Sequence, residues 1–164
     1  MISSVLSLLV VLQSVDVVVP RGGGPAIECT VSRVDEDGVR LSTGDSGSVT
    51  MSWDRIADVR LEDDRVPRLP ELLERGEQLW RARSRLERGE VELAEPVFEL
   101  LFPETVGRTS ETALVVSEGL LRCRLMRGEL DAALLPAMEV ARLRRAGIGT
   151  TSYRMMQPPS IEGG

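Results

Sequence analysis

The segment RLERGEVELA at 85–94 returns as RLMRGELDAA at 124–133, an offset of 39 residues. This repetition constrains the chain more than any other feature, because a recurring segment implies a recurring structural unit. Each copy reads as a helix ending in Arg-Gly and followed by an acidic start to a second helix. Gly adopts the left-handed conformation of a helix C-cap without penalty, and Arg is favoured at the negative end of the helix dipole. Glu90 and Glu129 then stand at the positive end of the next helix. Four helices are therefore expected within residues 69–147.

Apolar spacing assigns each helix a face. Pro70 suits the first turn of the first helix, which carries Glu71–Arg75 and Glu77–Arg81 at i, i+4. Leu72, Leu73, Leu79, Trp80 and Leu86 supply its apolar surface. Ser110 is placed to cap the third helix, whose buried face is expected from Ala113, Leu114, Val116, Leu120, Leu121 and Leu125. The fourth is expected to bury Leu130, Ala133, Leu134, Ala137, Val140, Ala141 and Leu143. Pro96 and Pro136 should kink the second helices or delay their start.

These features resemble tetratricopeptide-repeat helix pairs, in which a Gly and an Ala five residues later bracket the inter-helix turn. Gly89 with Ala94 and Gly128 with Ala133 match that pattern. Phe98 fills the following large apolar place, which holds Ala137 in the second copy. Ala82 matches the small residue of the first helix, whereas Leu121 departs from it. The period exceeds the family's length of about 34, with residues 103–110 as the extra loop. The resemblance implies a peptide groove in which Arg83 and Arg122 occupy equivalent places and would grip acidic groups. One turn earlier stand Leu79 and Glu118, so the full clamp is not present. About three repeats is a usual minimum for burying a stacked core. The exposed end must be covered by the preceding module, a second copy or a partner.

Residues 15–62 read differently, as four or five short strands. Ile27, Cys29, Val31 and, after a polar step, Val34 nearly alternate, the mark of a half-buried strand. Asp37-Gly38 and the stretch around Gly44 and Gly47 are turn sequences. Trp53-Asp54-Arg55-Ile56 reads as a single turn before a last strand. The order of hairpin, short turn and closing strand resembles small Sm-like barrels over about 45 residues. Such barrels often bind nucleic acid. Here residues 15–64 hold eleven acids against five arginines, while residues 65–147 hold fourteen of each sign. Phosphate binding needs basic side chains, so the acidic module argues against that use. Trp53 is expected to plug the small core rather than to serve as a stacking platform.

The chemistry is bounded by what is missing. The chain has no His, and all 20 of its basic residues are Arg. Ser-His-Asp triads, Cys-His dyads and His-ligated metals are excluded. Asp35-Glu36-Asp37 lacks calcium-loop spacing and reads as a solvated acidic turn. Asp54, Asp58, Asp63 and Asp64 show no acid–base assignment. Cys29 and Cys123 belong to no CxxC pair and read as buried thiols, with a single long-range disulfide as the alternative.

Residues 1–14, MISSVLSLLVVLQS, have an apolar run of signal-peptide length without a preceding positive charge. They imply export to a periplasmic or extracellular space; as a buried first strand or helix they would imply a cytoplasmic protein. Residues 148–164 read as a flexible tail, with Tyr153, Met155 and Met156 as anchors. The expectation is an α+β chain, a small antiparallel β module followed by two antiparallel helix pairs. Its expected function is non-enzymatic protein binding or scaffolding, without a cofactor or metal. The partner would be another protein or a second copy. The alternative is nucleic-acid binding through the small barrel and the Arg-rich helices.

Overall fold

The computed structural model describes residues 15–44, 47–63 and 65–149. The signal-peptide segment at 1–14, and the tail with its anchors beyond 149, lie outside the described residues. The chain is α+β, as expected. Five strands form one antiparallel sheet: β1 (Asp16–Pro20), β2 (Ile27–Asp35), β3 (Gly38–Ser42), β4 (Ser48–Met51) and β5 (Ile56–Arg60). Their order is β4-β3-β2-β1-β5, so β5 returns to pair with β1 across the sheet from β4. A 3-10 turn, Trp53–Arg55, joins β4 to β5. Four helices follow: α1 (Leu69–Glu87), α2 (Val91–Thr105), α3 (Glu111–Met126) and α4 (Leu130–Arg145).

The polar step in β2 has a structural cause. The β2–β3 register shifts between Val31 and Arg33, a bulge that changes which parity of residues faces inward. Cys29 and Val31 are therefore buried before it, and Val34 turns partly inward after it. The β2–β3 hairpin turns through Glu36 and Asp37, with Asp37 N–H donating to Asp35 Oδ1 at 2.9 Å. Gly38 is required next, because a Cβ there would overlap the Met51 carbonyl.

One apolar cluster joins the sheet to the first helix. Val18, Cys29, Val31, Val39, Leu41, Trp53, Ile56 and Val59 pack with Leu72 of α1. Trp53 is the expected plug: it is buried, and its indole N–H donates to the Asp35 carbonyl at 2.8 Å. Further along α1, Leu79, Ala82 and Leu86 belong to a second cluster with Ala94, Phe98, Val115, Val116 and Leu120. Gly76 lies between the two clusters, and a Cβ there would sit 2.7 Å from the Trp53 carbonyl oxygen. The sheet thus covers one side of α1 and the other helices cover the other.

The Arg-Gly-Glu turns are alike in detail. Glu90 N–H bonds Arg85 O at 3.0 Å and Gly89 N–H bonds Leu86 O at 3.0 Å. In the second copy Glu129 bonds Arg124 O at 2.9 Å and Gly128 bonds Leu125 O at 3.1 Å. Both are Schellman caps, with positive φ at Gly89 and Gly128. Arg88–Glu90 and Arg127–Glu129 ion pairs clasp the two turns at 2.8 and 2.9 Å.

Several helical expectations need correction. α2 begins at Val91 and α4 at Leu130, so neither start is delayed by its proline; both helices run on through Pro96, Pro103 and Pro136. The expected loop at 103–110 is shorter, because α2 continues to Thr105. Ser110 does cap α3, accepting from Ala113 N–H at 3.2 Å. Leu125, Leu130 and Leu134 are exposed rather than buried. The inward side of α4 is made by Ala133, Pro136, Glu139, Val140 and Leu143, which leaves Leu130, Leu134 and Leu135 outside.

Candidate functional site

Three places could carry function: the seam between sheet and helices, a cavity beside it, and the outer faces of α2 and α4. The seam holds the first of the two predicted groove arginines. Arg83 Nη1 lies 2.7 Å from Oδ2 of Asp54, a carboxylate whose side chain is wholly buried, and Arg83 Nε lies 3.2 Å from Glu87. Ser52 Oγ donates to the other Asp54 oxygen at 2.7 Å. Nearby, Arg55 reaches Glu111 of α3 at 3.6 Å, and the Arg21 guanidinium stands 5.5 Å from the Trp80 ring centroid. Burial pushes the Glu111 carboxyl above its ordinary value, with Arg55 pulling it back. Arg83 thus joins the 3-10 turn to α1. Arg122 is half-buried on α3, and its charge acts on the neighbouring Cys123.

Each of the remaining buried carboxylates likewise meets arginine. Asp16 is bonded by Arg65 and by the N–H groups of Val31 and Glu62. Burial alone would raise its pKa, but those donors outweigh it and hold the carboxyl below the ordinary range. Glu95 meets Arg127 at 2.9 Å and Arg124 at 3.2 Å, and Glu118 meets Arg144 at 2.8 Å. Glu139 accepts from Arg142 and from Gly107 N–H at 2.7 Å, and these bonds lower its pKa. Each acid ties two chain segments together. Asp58, paired with Arg60 on the sheet surface, is no partner to buried Asp54.

The two thiols are free and buried in different clusters, Cys29 under the sheet and Cys123 among the helices. Burial raises both pKa values, that of Cys123 to about 12. Among the described residues no group of three His, Cys, Asp or Glu is placed to hold a metal ion. No helix there is long and apolar enough to cross a membrane.

A cavity of about 340 Å³ opens where the sheet meets α1, α2 and α3, over Trp53, Leu72, Leu79, Leu101 and Val116. Its polar lining is already engaged in ion pairs, Arg75 with Glu104 and Arg68 with Glu36. The outer helix faces are less satisfied. Leu93 and Leu100 on α2, with Leu130, Leu134, Leu135 and Met138 on α4, are exposed by 56% to 69%. Leu125 and Met126 at the end of α3 extend the same character. Apolar spacing had marked Leu130 and Leu134 as important but turned them inward; the inward run of small residues on α4 was the available signal.

Comparison of the chain with protein families, with curated proteins and with solved structures found no match.

Proposed function

We propose that this chain is a non-enzymatic protein-binding or scaffold module that presents the outer faces of its helix pairs to a partner. The observation that carries this reading is the apolar outer surface of α2 and α4, where six large side chains are each more than half exposed. Contiguous exposed apolar surface marks interaction sites on monomeric folds. Burying a Leu or Met side chain completely contributes about 1.5–3 kcal/mol, and roughly half of that remains available at these positions. The like turns at Gly89 and Gly128 support the resemblance to tetratricopeptide helix pairs.

The arginines support this reading over nucleic-acid binding, because those along the helices are largely engaged by carboxylates. Trp53, the stacking candidate, is buried. Affinity capture with the full chain and with Leu100→Glu/Leu134→Glu tests the proposal. Proteins retained by the native chain and lost by the variant, at equal thermal stability, are expected. Identical captured sets overturn it, and binding to a nucleic acid that weakens steeply with salt favours the alternative.

A further inference from the structure

The outer face of α4 has a specific order of chemistry. At 100° per residue, Asp131, Leu134, Leu135, Met138 and Arg145 fall within an arc of about 100° on a helix, an arc that also holds Arg142, turned to Glu139. An acid therefore opens the stripe, an apolar centre follows and a base closes it. Asp131 and Arg145 each stand seven residues from Met138, about 21 Å apart along the axis. Both are exposed, and neither has a charge partner among the described residues. The arginines and acids beside them are committed: Arg142 to Glu139 and Arg144 to Glu118. At the opposite side of the helical stack, α1 is covered by the sheet.

Resting on the reading of the outer helix faces as an interaction surface, we infer that the partner at α4 is a second copy of this chain. The two α4 helices pack antiparallel about a two-fold axis at Met138. Such an axis sets Asp131 of each copy opposite Arg145 of the other, twice, with Leu134, Leu135 and Met138 between them. A two-fold interface must be self-complementary, since each residue meets its counterpart's partner. A stripe with opposite charges equidistant from an apolar centre meets that condition. It also opposes the two helix dipoles favourably.

Sedimentation analysis of the full chain tests this. The native protein is expected to dimerise. Met138→Glu places two like charges at the axis and is expected to weaken the dimer at least about a hundredfold. Asp131→Arg or Arg145→Asp alone is expected to weaken it about tenfold, by turning two attractions into repulsions. A mixture of the two charge variants restores the native affinity, because only their heterodimer has both ends complementary. Equal melting temperatures at a concentration low enough that every variant is monomeric confirm that the exposed substitutions leave each chain folded. A native protein that stays monomeric to about 1 mM overturns the inference, as does a dimer indifferent to Met138→Glu or a mixture that fails to recover. A monomer whose capture of another protein is still lost in Leu100→Glu/Leu134→Glu overturns the second copy alone; a monomer without such capture overturns both readings.

Discussion

Removing Arg83 separates its two roles, groove residue and seam residue. In the fold its guanidinium bonds Asp54, whose side chain is 0% exposed while that of Arg83 is 23% exposed. Arg83→Ala strips this ion pair from the buried carboxylate and leaves the bond from the Ser52 hydroxyl. Breaking a fully buried ion pair costs about 3–5 kcal/mol. Water reaches the Arg83 side, which screens part of this, so a loss of about 2–3 kcal/mol is expected. The Glu87 pair, being at the surface, adds less than about 1 kcal/mol. That total is a large share of a stability of about 5–15 kcal/mol. Asp54→Asn keeps the bond from Ser52 and removes the stranded charge. The double variant should therefore be more stable than Arg83→Ala by about 1–2 kcal/mol, a coupling of the size found for contacting residues. Urea unfolding of the four proteins at one pH reads the cycle. An Arg83→Ala variant within about 0.5 kcal/mol of native, or strictly additive losses, refutes the seam argument. Unchanged stability with lost binding on a peptide array would return Arg83 to the groove, with Arg122→Ala as the companion test.

Gly119 faces Phe98 so closely that an added Cβ would lie 2.6 Å from the ring Cδ1 and nearer still to Cε1 and Cζ. Gly119→Ala should lose about 1–2 kcal/mol in urea unfolding, because overpacking of up to about 3 kcal/mol outweighs the roughly 1 kcal/mol gain in helix propensity. A stabilised variant would contradict the α2–α3 packing. Asp16 and Glu139 have lowered pKa values in the fold, so their contribution is complete above the ordinary carboxylate range and is lost as pH falls through the lower folded values. The urea midpoint should fall between about pH 4 and pH 2, while Glu111, raised by burial, acts in the opposite sense only above that range; a flat midpoint between about pH 4 and pH 2 would refute the pairing. Cys29 and Cys123 should resist a maleimide in the native state and both react in denaturant. Rapid native labelling, or a disulfide-linked chain, would contradict their burial.

Local chemistry made much of this fold readable. The Arg-Gly-Glu turns at 88–90 and 127–129, the Ser110 cap and the Trp53 turn are decided by a few neighbouring residues. The bulge in β2 was visible as the polar step between Val31 and Val34. The groove candidates were less readable. Arg83 and Arg122 match by offset, yet Arg83 is drawn to Asp54, 29 residues earlier, and no local pattern announces that pairing. Asp16, reached by Val31, Glu62 and Arg65, is hidden from sequence reading in the same way.

The amino-acid order by itself determined the helix-turn-helix repetition, the small sheet with its hairpins and the exclusion of histidine chemistry. These follow from backbone preference, spacing and residue type, all of which act within a few residues. Only the tertiary structure decided which apolar arc of α4 faces α3 and which faces outward. Both arcs satisfy a helical period. The choice rests on the compact side chains Ala133 and Pro136 and on Val140, Leu143 and the Glu139–Arg142 pair meeting their neighbours. That choice left Leu134, Leu135 and Met138 outside, where the candidate interface is.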